Sequence, residues 1–330
     1  MSRARLIDIA QAAGVSMTTA SYVMNHRPVA IPLETRLRIF RVAQDLNYLP
    51  NRMARNLAQR KSGLIGVLSP LNGSPFHARL VAELNEYAAE QSYKLVFETV
   101  GHESGPPVSH QSAVERLLQW RVDGLILWSE GQIHEVSADC PTVSIGFGAD
   151  EPRPPHVAID LYRSAQLATR HLIDLGHTDL CFVGHPDHDP DLRWTAVCDE
   201  AEKAGHPTPA RLPTSSDGEN PRDVVMRMTE RGDIPTAFVC ISDVQALEVF
   251  RGLRNRGLSV PADVSLVSCD ETWVAENLDP PLTAVSIPFR DATKRALDSL
   301  LSLIRGDDPP SGDIAPPVLT IRGSTSKTRV

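Results

Sequence analysis

Residues 5–28, RLIDIAQAAGVSMTTASYVMNHRP, decide the reading of this chain. Leu6, Ile9, Ala10 and Ala13 recur at three- and four-residue spacing, which gives a short helix one apolar stripe. Gly14 follows as the residue that accepts a left-handed turn, and Ser16 offers a hydroxyl to the free N–H groups that open a second helix. The pattern predicts that helix over Met17–Met24, with Ala20, Val23 and Met24 turned inward. Met17, Thr18, Thr19, Ser21 and Tyr22 then face outward, and with Ser16 and Asn25 at the helix ends they form a candidate DNA-contacting set. Helix, glycine turn and second helix in quick succession have the form of a helix-turn-helix, whose second helix enters the major groove of double-stranded DNA.

The charge distribution agrees. Residues 1–61 hold ten Lys/Arg against three acids, a formal +7, so a whole-chain charge of −8 leaves −15 for the remainder. A basic head on an acidic body brings only the head to a polyanion. The length of 330 residues, 42% of them hydrophobic, suffices for a small domain plus one or two packed α/β lobes. The N-terminus MSRARLIDIA lacks the apolar core of a signal peptide, and no stretch reaches the roughly 18 uninterrupted apolar residues of a membrane span. A cytoplasmic protein without a membrane partner is expected. The five cysteines are scattered and never form CxxC, and Cys181, Cys240 and Cys269 sit in apolar runs, so buried thiols are expected rather than disulfides or zinc.

After Lys61 the pattern changes. LIGVLSP, KLVFETV, GLILW, TVSIGF, LCFVGH, TAFVCIS and VSLVSCD read as buried strands, and the segments 75–91, 162–175, 244–256 and 290–304 read as helices between them. Such alternation implies βαβ units and parallel sheets, here divided into two lobes. A ligand would lie outside the carboxyl ends of the strands. The loops there are LNGSPFH, HPDHDPD, and the segments beginning at Asp243 and Glu271. HPDHDPD (185–191) packs two histidines and three aspartates together, but its proline-broken spacing fits neither a zinc nor an EF-hand pattern. No metal is expected, and Asp187, His188 and Asp189 become candidates for ligand choice. A nucleotide-dependent α/β enzyme is the alternative, and against it no GxGxxG opens a helix and no GxxxxGK[ST] occurs. Asp270 and Glu271 are adjacent at a strand end and should point apart, which is poor geometry for an acid/base pair. Neither catalysis nor a cofactor is expected. A secreted solute-binding protein would share the core but not the basic head.

The ordered motifs DIAxxAGVSxxTxSxVxN, NYLPNRMARNL, RVDGLIL, RHLIDLGHTDLCFVG, TAFVCISD, GLSVPADVSLVSCDE and PPLTAVSIP run from about Leu6 to Gly323. Together they resemble the lactose-repressor (LacI/GalR) family of bacterial transcription regulators. The resemblance implies an α/β protein: an all-α helix-turn-helix headpiece over 1–48 and a hinge helix with linker over 49–61, joined to a two-lobed periplasmic-binding-protein-like core with parallel sheets over 62–330. The lobes would comprise about 62–159 with 287–316, and about 160–286 with 317–323, with crossings near Ile159, Ser286 and Pro316. It implies a homodimer on a near-palindromic operator, and because the sequence closes on IRGSTSKTRV (321–330) without the heptad tail that makes tetramers, a dimer is expected.

By motif position, Leu57 would wedge into the central base step of the operator, Ala54 would let paired hinge helices approach, and Arg52 and Arg55 would reach phosphates. So short a helix should fold only on DNA beside its partner. Phe76 and His77 match positions that touch effector from the first lobe, Arg193 matches a clamping arginine, Ser242 stands where Asn is frequent, and Asp270 matches a recurrent effector-binding acid. Asp189 joins them from its loop. An Arg opposite an Asp suits a neutral polyol or nucleobase, and a sugar or related metabolite is the expected effector. The chain departs from the family at Tyr22, where Arg is usual, and at Met17 and Thr18, so the operator half-site cannot be carried over. Arg5 in place of a Thr cap and IPLETR in place of Ser-Pro-Glu predict weaker helix starts, by about 1 kcal/mol each. The implied activity is that of a sequence-specific repressor whose operator affinity is set by a small molecule.

Overall fold

The computed structural model describes residues 4–25, 27–48, 61–69, 75–99, 110–129, 140–146, 155–184, 191–213, 220–312 and 314–328. It divides into two units, Met1–Ser62 and Gly63–Val330. In the first, α1 (Leu6–Ala12), α2 (Met17–Met24) and α3 (Leu33–Asp45) bury Ile9, Ala10, Ala13, Ala20, Val23, Ile39 and Ala43 against one another. Gly14 makes the turn between α1 and α2 with φ +61°, which a residue with a Cβ adopts only under strain. Ser16 Oγ accepts the Thr19 N–H at 3.0 Å, as an N-cap should.

Each of the two weak helix starts has a local hydrogen bond beside it. Arg5 has no side-chain oxygen to cap α1, but its own N–H donates to Asp8 Oδ2 at 2.7 Å, which is the returning half of a capping box. Pro32 precedes α3 without a side-chain cap. There Arg36 reaches back from the first turn and donates to the carbonyls of Val29 (2.7 Å) and Ile31 (3.3 Å).

The second unit contains two sheets. The first comprises β1 (Leu64–Ser69), β2 (Lys94–Thr99), β3 (Gly124–Ser129), β4 (Thr142–Gly146) and β5 (His156–Ala158) in the order β2-β1-β3-β4-β5. All its pairings are parallel, with α4 (Pro75–Glu90) and α5 (His110–Gln119) as crossovers. The second comprises β6 (Leu180–Gly184), β7 (Ala210–Pro213), β8 (Ala237–Cys240), β9 (Ser265–Ser268), β10 (Thr283–Ser286) and β11 (Val318–Thr320) in the order β11-β10-β9-β8-β6-β7. Only β11 runs antiparallel to its neighbour. With it go α6 (Leu161–Asp174), α7 (Leu192–Lys203), α8 (Pro221–Arg231), α9 (Asp243–Asn255) and α10 (Trp273–Asn277). Strands such as β4, β6 and β8 are buried at every position because helices cover both faces, which is why they read as unbroken apolar runs.

The chain changes sheet three times. After β5, α6 packs Ala165, Ala168 and Leu172 against the second sheet. After β10, α11 (Phe289–Arg305) returns Ala292, Ala296, Leu297 and Leu300 to the first. The chain then crosses again to place β11 beside β10. Each lobe is therefore assembled from distant segments. The final stretch differs from the sequence reading, which ends the second lobe at about 323. Ser324 Oγ donates to the Leu266 carbonyl at 2.6 Å, Ser326 N–H donates to Ser265 Oγ at 3.0 Å, and Thr328 N–H donates to the Leu175 carbonyl at 3.1 Å. A polar strap held by hydroxyls leaves no hydrophobic period to read.

Candidate functional site

On α2, Met17 is 57% exposed and Thr18 is also exposed. The remaining predicted DNA-contacting residues are partly engaged within the helix. Thr19 Oγ1 lies 2.8 Å from Ser16 Oγ, and Asn25 Nδ2 donates to the Ser21 carbonyl at 2.8 Å and to Ser21 Oγ at 3.3 Å. The half-buried Tyr22 ring carries the Arg27 guanidinium 5.8 Å from its centroid. A cation on an aromatic face brings positive charge to the flank of α2, so Arg27 joins the candidate surface. The sequence signal for it was only its sign, because it lies beyond the helix end. Arg52, Ala54, Arg55 and Leu57 lie outside the described residues, as do Asp187, His188 and Asp189.

In the second lobe, the polar groups gather where β8 and β9 end. Asp270 follows β9 and is 2% exposed. Its Oδ1 accepts the Asp243 N–H at 3.0 Å and the Ser268 hydroxyl at 3.4 Å. Burial pushes its carboxyl up to about 7, the Arg193 guanidinium pulls it back, and the Asp243 carboxylate adds to the rise. Arg193 stands in the first turn of α7, and its Nε is buried with no hydrogen-bond partner among the described residues. Ser242 caps α9, its Oγ accepting the Gln245 N–H at 3.3 Å. Asp243 Oδ2 accepts both the N–H and the hydroxyl of Thr272 at 2.6 Å, whereas its buried Oδ1 has no partner among the described residues. Burial also raises the Asp243 carboxyl, against the two Thr272 bonds.

The fold thus brings Arg193, Ser242 and Asp270 to one set of strand exits, and adds Asp243 to them. A donor fork opposite two carboxyl groups can bind a ligand that both accepts and donates hydrogen bonds. Asp243 had a signal in the sequence as the first polar residue after TAFVCIS, but nothing there distinguished it from an ordinary helix-start acid. Glu271 points away, as adjacency at a strand end requires, and its carboxylate pairs with Arg322.

In the first lobe, Phe76 and His77 open α4 and are each 6% exposed. Phe76 packs edge-on to Phe289 (4.7 Å between centroids) and Trp128 (6.0 Å), and His77 packs edge-on to Trp128 (5.5 Å). They form an aromatic floor beside the carboxyl ends of β1 and β3. Cys181 and Cys269 are buried thiols pushed up to about 12, which leaves them inert. No helix among the described residues is long and apolar enough to cross a membrane, and no cluster of metal-ligating side chains occurs among them.

Comparison with known proteins accounts for both units. Residues 5–51 match a family described as bacterial regulatory proteins, lacI family, and residues 169–325 match the periplasmic binding protein-like domain. The HTH-type transcriptional repressor PurR of Vibrio parahaemolyticus is 29% identical over 319 residues, covering 92% of each chain. The HTH-type transcriptional regulator DegA of Bacillus subtilis is 29% identical over 336 residues, covering 97% of this chain and 98% of its own. Among solved structures, the lac repressor dimer bound to operator and the anti-inducer ONPF superimposes with a TM-score of 0.83 at 25% identity, covering 98% of this chain and all of the other. In one order through the chain there thus run the helix-turn-helix domain of the lacI family and a periplasmic-binding-protein-like domain, the organisation of the DNA-binding transcriptional regulators to which it is similar from end to end.

Proposed function

We propose that this regulator is a repressor that acts as a homodimer on a near-palindromic operator, each subunit placing α2 in one of two successive major grooves. Residues 1–48 serve as the headpiece and 49–61 as the hinge, in which Leu57 wedges open the central base step, Ala54 allows close approach of the paired helices, and Arg52 and Arg55 hold phosphates. Met17, Thr18 and Tyr22 make the contacts that distinguish this operator from those of its relatives. Residues 62–330 bind a sugar, polyol or nucleobase between the lobes, against Phe76 and His77 on one side and Arg193, Ser242 and Asp270 on the other, with Asp189 contributing to ligand choice. Binding changes the angle between lobes and with it operator affinity. The protein performs no catalysis and works in the cytoplasm.

The observation that carries this reading is the gathering of Arg193 at the start of α7, Ser242 at the start of α9 and the buried Asp270 after β9 at neighbouring strand exits of a chain that opens with a helix-turn-helix. Operator affinity measured against a panel of sugars, polyols and nucleobases tests it. One class should shift the affinity of the wild type, while Arg193→Ala binds operator normally and no longer responds. An Arg193→Ala protein whose calorimetric affinity for that ligand is unchanged would remove Arg193 from the site.

A further inference from the structure

The two lobes meet at a side chain that neither the effector site nor the DNA-binding surface uses. Among the described residues, no helix or strand of one lobe packs broadly on one of the other. Arg79, two residues after His77 on α4 of the first lobe, nevertheless donates from Nη1 to the Glu271 carbonyl of the second lobe at 3.2 Å. Its guanidinium also lies 5.3 Å from the centroid of Phe289, the residue that opens α11 just after the chain has crossed between lobes. Phe289 is 1% exposed and locked edge-on against Phe76, so the arginine rests on a fixed platform.

The acceptor is equally well fixed. Glu271 is 7% exposed, and its carboxylate pairs with Arg322, which also donates to the Leu282 carbonyl at 2.7 Å. The residue before it is Asp270, bonded to the Asp243 N–H, and the residue after it is Thr272, bonded to the Asp243 carboxylate. Three consecutive residues thus face three ways: Asp270 toward the candidate ligand groups, the Glu271 carbonyl toward the first lobe, and Thr272 toward the start of α9. A shift of the 270–272 backbone that accompanies a change at Asp270 must lengthen or tighten the bond from Arg79, because one peptide unit separates them.

We propose that Arg79 is an interlobe latch: a positioning residue that holds the first lobe to the loop carrying Asp270, and through which the state of the ligand site sets the lobe angle. The coupling to operator rests on the repressor reading above, whereas the latch itself does not. Removing the donors while keeping the stem on Phe289 frees the lobe angle. A bond from a charged donor to a buried carbonyl is strong enough to shift a two-state equilibrium about fivefold.

The test uses the full chain with spin labels on cysteines placed at the exposed Glu90 of α4 and Glu202 of α7, and with the half-buried Cys140 and Cys198 replaced by serine. Arg79→Met should broaden the interlobe distance distribution or move it, Arg79→Lys should restore it in part, and operator affinity should change by about fivefold in Arg79→Met. Superimposable distributions for wild type and Arg79→Met would overturn the latch. A changed distribution with unchanged operator affinity would overturn its regulatory role. A wild-type chain that binds no operator refutes the repressor reading, and the distances still decide the latch.

Discussion

Asp270 stands just after β9 and is almost wholly withdrawn from water. Its carboxyl is pushed up to about 7 chiefly by burial, with Arg193 opposing. The folded chain therefore keeps a proton that the unfolded chain releases from the ordinary aspartate range upward, and the stability tied to the protonated acid is complete at low pH and lost as pH rises through about 7. His171 and His177 act in the opposite sense. Burial lowers both, so they favour the fold above about pH 6.5 and cost stability below it. Asp270→Asn retains an oxygen to accept the Asp243 N–H and needs no proton. Thermal melts should show this variant gaining on the wild type between pH 5 and pH 8, values that bracket the titration on the order of one to two units either side. A parallel pair of profiles would mean that Asp270 does not titrate between those values in the folded chain.

At the scale of elements, α8 and α9 pack so closely that a Cβ on Gly252 would lie 2.7 Å from the Arg222 carbonyl oxygen and 3.1 Å from Val225 Cβ. Backbone cannot step aside as a flexible side chain can, so Gly252→Ala should destabilise the core by about 1–3 kcal/mol in denaturant unfolding. An unchanged midpoint would show that the two helices are less tightly apposed. What could be read from the sequence follows the same physics of packing. β1, β4, β6 and β8 announced themselves as unbroken apolar runs because both of their faces are covered, and α2 announced its bounds through Gly14, Ser16 and one inward stripe. By contrast β5 and β11 span three residues each, too short for any period to register, and the 324–328 strap is held by hydroxyls. The candidate site divides likewise. Arg193, Ser242 and Asp270 were found by motif position, but the pairing of Asp243 with Thr272 and the reach of Arg79 to Glu271 join segments 29 and 192 residues apart, a distance no local pattern spans.

For the whole molecule, a basic N-terminal unit precedes an acidic two-lobed one, and under the proposed function the second governs how two copies of the first meet one operator. Leu57→Ala should leave the core fold intact by circular dichroism while reducing both operator affinity and the bend seen in gel mobility. The loss should be about tenfold or more, the order expected for one buried leucine contact. Normal bending by that variant would exclude the wedge. The most direct test is selection from a random duplex pool by the purified full-length chain, followed by sequencing of the bound DNA. A near-palindrome is expected, whose half-sites differ from those of relatives that carry arginine in place of Tyr22, around a flexible pyrimidine–purine centre. Absence of any enriched sequence at low salt, where phosphate contacts are strongest, both with and without cell-extract metabolites, would contradict it.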